Sequence, residues 1–222
     1  MTDPTPAPIV FFYSVRSVYA YFAAPRVADL ARRHGRRLVH CPVDLSQVVP
    51  AFGSLPFAER GARPRALQFR LEVQRWSEYL NMPVLLDPVH HHGDRLLPSA
   101  LVLATQDAGL DTDRLAADLL TALWRHDRDI ADPAVLSDLV RAIGINPAPL
   151  IERAADPAMS AAFQACTNRA IEAGVPGSPS FLVDGEIFYG QDRLMFVEHH
   201  LNSPFGRTGK AMGSPTAQPP LA

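Results

Sequence analysis

Residues 174–194 read GVPGSPSFLVDGEIFYGQDRL and contain the clearest structural pattern of this chain. Residues 181–183 and 187–189 are two short apolar runs, rich in aromatic and β-branched side chains, and Asp184-Gly185 between them is a common two-residue hairpin turn. Pro179 precedes the first run, at the start of a strand, where a proline is tolerated. The pattern predicts an antiparallel hairpin, and we expect the Ser178-Pro179 peptide bond to be cis.

The chain opens with a β-α-β pattern. Residues 9–13, IVFFY, form a candidate buried strand, and residues 38–43 form a second one. Between them, apolar residues at helical spacing predict a helix that starts near Ser17 and stops at Gly35. Two strands joined by one helix are expected to pair in parallel, through a right-handed crossover.

Helical periodicity extends from Asp44 to about Gly174. Three helices in this part are predicted to begin at an Asp or Asn followed by proline, which places a capping side chain before a first-turn proline. After the hairpin, residues 192–201 predict one closing helix. The apolar stripes of the middle part are Phe69, Val73, Trp76 and Leu80 in one helix, and Leu115, Leu119 and Leu123 in another.

Composition limits the classes of partner. The 222 residues include 21 basic and 23 acidic side chains, for a net charge of −2, so we expect no nucleic acid partner. No apolar run approaches the ~18 residues of a spanning helix, and residues 1–8 lack the features of a signal peptide, so we expect no membrane and a cytoplasmic protein. Cys41 and Cys166 lie in apolar surroundings and are expected to be buried free thiols, with a disulfide as the alternative.

The order of these elements resembles a thioredoxin fold that is interrupted in its middle, as in the DsbA-like branch of that superfold. The resemblance implies an α/β fold, with a discontinuous thioredoxin-like domain at residues 9–44 and 174–201. An inserted all-helical domain is expected at residues 45–173. Residues 1–8 and 202–222 are rich in proline and are expected to be flexible tails.

The first helix lacks the cysteines that redox members of that superfold carry. Ser17-Val18-Tyr19-Ala20 stands in place of Cys-x-x-Cys, which excludes disulfide exchange at this position. A helix N-terminus beside a hydroxyl and a proline loop would still favour a bound anion. Residues 11–21, 122–133 and 174–194 resemble the kappa-class glutathione transferases and the 2-hydroxychromene-2-carboxylate isomerases. The isomerase branch fits better.

The resemblance to these two families implies a glutathione site. Ser17 matches the catalytic serine of the family, whose hydroxyl would hold the glutathione sulfur as a thiolate. Ser178, before Pro179, matches the residue whose backbone pairs with the cysteinyl part of glutathione. Gln191 and Asp192 match the pair that binds the γ-glutamyl end. Arg65 falls near the lysine of the family and would hold a carboxylate, with Arg63 as an equally basic neighbour.

The activity that the resemblance implies is cis-trans isomerisation in the degradation of aromatic hydrocarbons, through addition and elimination of the glutathione thiolate. The substrate would be a small aromatic 2-oxo-acid or a related electrophile. Arg16 is a candidate partner for its carboxylate, and three side chains, Tyr19, Phe52 and Trp76, are candidates for an apolar wall around its ring. Relatives suggest a homodimer. No metal site is expected, because the consecutive histidines at residues 90–92 point in different directions.

Two other functions stay open at this stage. One is a kappa-like transferase that leaves glutathione attached to an electrophile, and the other is a non-catalytic DsbA-like binding module. Departures from the family pattern motivate the second, since Ser14 replaces an acid, Val18 replaces a proline, and Gly53 or Ser54 replaces an asparagine. Ser17 also has a simpler use, as the N-cap of the first helix.

Overall fold

The computed structural model describes residues 6–205 and contains the strands β1 Ile9–Tyr13, β2 Leu38–Pro42, β3 Ser180–Val183 and β4 Glu186–Tyr189. They form one mixed sheet in the order β2-β1-β3-β4. β1 pairs with β2 in parallel and with β3 antiparallel, and β3 and β4 form an antiparallel hairpin. This topology confirms the predicted β-α-β opening and the predicted hairpin.

Helices flank the sheet and fill the long segment between β2 and β3. One helix joins β1 to β2, eight lie between β2 and β3, and one follows β4 among the described residues. In chain order they are α1 Val18–Arg33, α2 Leu45–Ala51, α3 Ala62–Ala66, α4 Glu72–Leu80, α5 Leu96–Asp107, α6 Thr112–His126, α7 Pro133–Ala142, α8 Pro147–Ala154, α9 Pro157–Glu172 and α10 Leu194–Asn202.

The helix termini follow the local chemistry of the sequence. Ser17 is the N-cap of α1, and its Oγ accepts a hydrogen bond from the backbone N–H of Ala20 at 3.2 Å. Gly35, just beyond the end of α1, has a φ of +60°. The predicted starts with proline are confirmed, since α7, α8 and α9 are capped by Asp132, Asn146 and Asp156.

The hairpin turn has the backbone that its residues favour. Asp184 has a φ of +48° and Gly185 a φ of +88°, which is the pattern of a type I′ turn. Such a turn matches the right-handed twist of the two flanking strands. The peptide bond between Ser178 and Pro179 is cis, as expected from the sequence.

Side chains of β1 alternate between two apolar clusters, as the two-residue period of a strand requires. Ile9, Phe11 and Tyr13 belong to the larger cluster, which also contains residues of α1, α5 and α6. Val10 and Phe12 belong to a smaller cluster, which includes residues of β2 and α9. The division of the chain into two domains stays a prediction.

One predicted stripe extends beyond its helix. α4 begins at Glu72, and Phe69 lies before it in a π-helical turn at Leu67–Leu71. Most of the predicted tails, residues 1–5 and 206–222, lies outside the described residues. Across residues 6–205, every helix is too short or too polar to cross a bilayer. Both cysteines are free thiols as expected, with Cys41 buried and Cys166 half-buried.

Candidate functional site

A pocket of about 310 Å³ opens at the N-terminus of α1. Its volume lies at the lower end of the ~300–1,000 Å³ that small-molecule sites occupy. Its walls come from the β1–α1 loop, the start of α2, the helical turn Phe57–Glu59, the loop before β3, and β4. The polar and aromatic lining residues are Ser14, Arg16, Ser17, Tyr19, Asp44, Ser46, Phe57, Arg60, Phe69, His91, Arg95, Ser178 and Tyr189.

Ser17 lines the pocket at the helix end where backbone N–H groups concentrate positive charge. Its Oγ already accepts the N–H of Ala20. A serine hydroxyl has two acceptor lone pairs and one proton, so this cap leaves the proton available to a ligand. A helix of 16 residues with a hydroxyl at its first turn is suited to an anion.

The loop that carries the cis-proline is fixed against the β1–α1 loop. Ser14 is 6% exposed, and its backbone N–H donates to the Oγ of Ser178 at 3.0 Å. The Oγ of Ser14 accepts the backbone N–H of Arg16 at 3.3 Å. On the other side of the loop, the carbonyl of Pro179 accepts the N–H of Gly190 at 2.9 Å. These bonds set the position of Ser178 relative to Ser17.

Three arginines bring positive charge to the pocket. Arg16 donates from Nη1 to the carbonyl oxygen of Gly93 at 3.0 Å, and burial, followed by the nearby Arg95, lowers its pKa. Arg95 donates to Asp44 Oδ2 at 2.6 Å. Burial raises the pKa of Asp44, but hydrogen bonds from neighbouring side chains, Arg95 among them, outweigh it and lower the pKa overall. Arg60 is the third cation of the lining.

Two tyrosines, Tyr19 and Tyr189, line the pocket. Burial, and then the charges of Glu72, Tyr189 and Asp192, raise the pKa of Tyr19 to about 12, so its phenol stays a neutral hydrogen-bond donor at physiological pH. The ring of Tyr189 rests on Gly177. A Cβ placed at Gly177 would lie 3.1 Å from that ring, so any larger residue would require the Tyr189 ring to shift by a few tenths of an ångström.

His91 contributes a neutral imidazole to the pocket. Its ring centroid lies 4.8 Å from that of Trp124 and 5.7 Å from that of Phe69. Burial, and then the charges of His92 and Arg16, lower its pKa to about 4. The ring is therefore uncharged at physiological pH, and its unprotonated nitrogen is able to accept a hydrogen bond. The sequence analysis considered residues 90–92 only as metal ligands and missed this placement.

The structure brings four of the predicted site residues to the pocket, namely Arg16, Ser17, Tyr19 and Ser178. Pro179, directly after Ser178, is buried. Among the lining residues that the sequence analysis missed are Asp44, Ser46, Phe57, Arg60, Phe69, His91, Arg95 and Tyr189. Tyr189 belongs to the hairpin motif, and its exposed strand position was the one available clue. The others lie in the helical segment, where no local pattern indicates which residues face α1.

Gln191 and Asp192 differ in exposure. Gln191 is 2% exposed, and Arg26 of α1 donates to both its side-chain and its backbone oxygen. The Asp192 carboxylate pairs with Arg193 at 2.7 Å and lies close enough to Tyr19 to raise its pKa. The predicted binding role of each residue stays a prediction.

Three further predicted residues lie away from the pocket lining. Arg65 lines an adjoining cavity of about 280 Å³, which shares Phe57 and Phe69 with the pocket. Phe52 is 50% exposed at the end of α2. Trp76 is half-buried in α4 and packs against the larger apolar cluster. The proposed contacts of these three side chains with a ligand stay predictions.

The geometry of a cis-proline loop beside the N-terminus of α1 agrees with sequence comparison. The family model of the DSBA-like thioredoxin domain matches residues 8–202. The chain belongs to the DSBA-like thioredoxin domain family. This membership confirms the predicted fold class, in which a mixed four-stranded sheet is combined with many helices.

Relatives of this DsbA-like chain include an isomerase. The 2-hydroxychromene-2-carboxylate isomerase of Sphingobium xenophagum is 26% identical over 193 residues, which are 87% of this chain and 97% of that protein. A solved 2-hydroxychromene-2-carboxylate isomerase has a TM-score of 0.70 at 21% identity, covering 87% of this chain and 94% of its own. The cytosolic disulfide reductase DsbM of Pseudomonas aeruginosa, solved with GSH, has a TM-score of 0.62 at 19% identity, covering 89% and 93%. The predicted resemblance to the isomerases is thus confirmed.

Proposed function

We propose that this DsbA-like protein is a glutathione-dependent isomerase of the 2-hydroxychromene-2-carboxylate isomerase type. The observation that carries the proposal is the place of Ser17, a helix-capping hydroxyl in a pocket that the cis-proline loop and three arginines enclose. Isomerase relatives of similar length support an enzyme of this type. A GSH complex of another protein with this fold supports the choice of cofactor.

The residues around the pocket fit glutathione in charge and in shape. Glutathione carries two carboxylates, and Arg60 would pair with one of them. Arg95 already binds Asp44, and Arg16 is left for the substrate. An extended peptide can pair with backbone in the manner of an added strand, which suits the segment at Ser178. Asp192 would accept a hydrogen bond from the ammonium group of the γ-glutamyl end. The thiol would then lie near Ser17.

The chain's own residues would activate the thiol and hold the charge that develops. When bound, glutathione would supply a thiol that adds to a conjugated carbon–carbon double bond and leaves again after rotation. The Ser17 hydroxyl would donate a hydrogen bond to the thiolate sulfur, and the N-terminus of α1 would stabilise its negative charge. Each unit by which these groups lower the thiol pKa corresponds to about 1.36 kcal/mol.

The substrate would be a small aromatic 2-oxo-acid or a related electrophile. Arg16 would hold its carboxylate, because this residue directly precedes Ser17 in the sequence and lines the pocket. Phe57 and Phe69 would form an apolar wall for the ring, together with Tyr19. A neutral His91 between these aromatic rings and Arg16 would accept a hydrogen bond from a substrate hydroxyl.

Calorimetry with two ligands tests the glutathione site. Wild type is expected to bind glutathione and to lower its thiol pKa, which thiolate absorbance across pH measures. Ser17→Ala is expected to weaken glutathione binding at pH 8 and to reduce the pKa shift to the part that the N-terminus of α1 supplies. The same variant should bind S-methylglutathione as wild type does, because that ligand has no thiol to ionise.

A matched control separates the role of Ser17 in the site from its role in the helix. Asp111 caps α6 through the backbone N–H of Arg114 at 3.1 Å and lies outside the pocket lining. Asp111→Ala removes a cap of comparable worth, about 1 kcal/mol, and should leave the thiol pKa unchanged. If Ser17→Ala and Asp111→Ala alter the thiol pKa equally, or if wild type does not bind glutathione, the proposal is wrong.

Product analysis separates an isomerase from a transferase. With 2-hydroxychromene-2-carboxylate as substrate, glutathione should be recovered unchanged after many turnovers, while the absorbance of the substrate changes to that of the open-chain isomer. Stoichiometric loss of glutathione would instead indicate a transferase.

We further propose a homodimer in the cytoplasm, and sedimentation velocity of the full chain measures its oligomeric state.

A further inference from the structure

The two cysteines of this chain meet in the smaller apolar cluster, and neither of them lines the pocket. Cys41 lies on β2 and is 1% exposed, whereas Cys166 lies on α9 and is half-buried. The Cys41 Sγ lies 3.8 Å from the carbonyl oxygen of Cys166, which brings the two residues into contact. The sequence contains two cysteines, so the whole cysteine content of the protein is in this contact.

The two thiols have different environments. A hydrogen bond from Cys41 lowers the pKa of Cys166, burial opposes this effect, and the guanidinium of Arg169 lowers the pKa further. The hydrogen bond with Cys166, and then burial, raise the pKa of Cys41. Arg169 lies one helical turn after Cys166, and its guanidinium lies 5.9 Å from the ring centroid of Phe12. Cys166 is thus the less buried of the two residues, and the guanidinium of Arg169 favours its thiolate form.

We propose that Cys41 and Cys166 form a peroxide-responsive dithiol pair that closes to an intramolecular disulfide. An accessible thiolate beside a second, buried thiol is the arrangement of an attacking and a resolving cysteine. This inference does not rest on the proposed isomerase activity, because neither sulfur lines the pocket.

The oxidation balances with a hydroperoxide as the oxidant. The Cys166 thiolate attacks the O–O bond, so a sulfur–oxygen bond forms, hydroxide leaves, and Cys166 becomes a sulfenic acid. Cys41 then attacks the Cys166 sulfur, the sulfur–sulfur bond forms, and the oxygen leaves as water with the proton of Cys41. In total, two thiols lose two electrons and two protons, and one hydrogen peroxide becomes two waters.

The pair adjoins a wall of the pocket. Thr167, next to Cys166, accepts the backbone N–H of Asp44 at 3.0 Å through its Oγ1. Asp44 caps α2 and binds Arg95, and both residues line the pocket. A bond between Cys41 and Cys166 would therefore join the strand and the helix that hold Asp44 in place.

Mass spectrometry of the folded full chain tests the proposal. After hydrogen peroxide treatment, denaturation and alkylation, wild type is expected to have lost both alkylatable thiols and to be lighter by two hydrogens. A proteolytic fragment should contain residues 41 and 166 linked, and dithiothreitol should restore both thiols. Two free thiols after treatment, sulfonic acids without a link, or a link between two chains would each overturn the proposal.

Single variants test the order of the two steps. In Cys41→Ser, peroxide should leave a sulfenic acid on Cys166 that dimedone traps. In Cys166→Ser, the buried Cys41 should react roughly tenfold more slowly than Cys166 does in the first variant. Equal rates, or a faster Cys41, would contradict the assignment. Near-ultraviolet circular dichroism before treatment confirms that each variant is folded, and the wild-type measurement stands without them.

Discussion

Ser17 combines two roles that do not compete at the level of its atoms. As the N-cap of α1 it accepts the N–H of Ala20, which uses one lone pair of Oγ. Its proton remains for a ligand in the pocket. An aspartate would cap the helix as well, but its ionised carboxylate would have no proton to donate and would repel an anion. A serine therefore caps the helix and also provides a neutral hydrogen-bond donor to the pocket.

The half-buried imidazole of His91 should make the stability of the protein depend on pH. Its pKa is lowered from 6.5 to about 4 in the native state, first by burial. Between these values the unfolded chain binds a proton that the native protein does not bind. The stability that neutral His91 contributes is therefore fully present above pH 6.5 and is lost as the pH falls towards about 4.

His91→Phe tests this dependence, because it keeps an aromatic ring against Trp124 and removes the titration. We expect urea unfolding to show a smaller loss of stability from pH 7 to pH 5 in the variant than in wild type. His126→Gln, at an exposed histidine at the end of α6, is the control and should lose as much as wild type. Equal losses in His91→Phe and wild type would show that His91 does not titrate differently on folding.

At the scale of elements, the link between β4 and α10 depends on Gly190. Its φ of +111° and ψ of +146° lie in a region that is essentially restricted to glycine. A Cβ at this position would also collide with the Asp192 carboxylate. Gly190→Ala is expected to lower the free energy of unfolding by about 1–3 kcal/mol, measured by urea denaturation.

A second glycine provides the comparison. Gly109 has a φ of +66°, and a Cβ built there meets no atom within 4 Å. Gly109→Ala should therefore cost about 1–2 kcal/mol for the left-handed backbone alone and leave the pocket intact. Gly190→Ala should also weaken glutathione binding, since the Gly190 N–H holds the carbonyl of Pro179. If both variants bind glutathione like wild type, the bond from Gly190 does not support the pocket.

Most helices and strands can be predicted from the sequence, because the residues that determine where they begin and turn lie close together in the chain. The caps of α7, α8 and α9, the type I′ turn and the start of α1 depend on residues within a few positions of each other. The stripe that begins at Phe69 was too long, since periodicity does not distinguish an α-helix from a neighbouring π-helical turn. The spacing of the backbone hydrogen bonds determines whether the turn is α-helical or π-helical, and no local sequence pattern predicts that spacing.

The candidate site was predictable only where motif and local structure coincide. Ser17 and Ser178 follow from a helix start and from a proline-led strand. His91 and Arg95 line the pocket because Arg16 of the β1–α1 loop binds the carbonyl of Gly93 between them, and that bond is a tertiary contact. Gln191 lies in a clear motif, yet no pattern indicates that Arg26 binds its side chain.

Across the whole molecule, Phe181 packs the late strand β3 against the early strand β1. It is fully buried in β3, opposite Phe11 of β1, and their ring centroids lie 5.5 Å apart. Phe181→Ala is expected to lower the free energy of unfolding by about 3–5 kcal/mol in urea denaturation. Phe52→Ala, at a residue 50% exposed, should change it by no more than about 0.5 kcal/mol. Similar values for the two variants would contradict the central place of β3.

The contact between Ser14 and Ser178 spans 164 positions of sequence, which has a consequence for synthesis. A ribosome makes the N-terminal wall of the pocket at the outset and the cis-proline loop close to the end. Neighbouring helices such as α7 and α8 can pack earlier, because contacts between segments close in sequence form first. A nascent or prematurely ended chain therefore cannot sequester the ligand, and ligand binding would select finished molecules from unfinished ones.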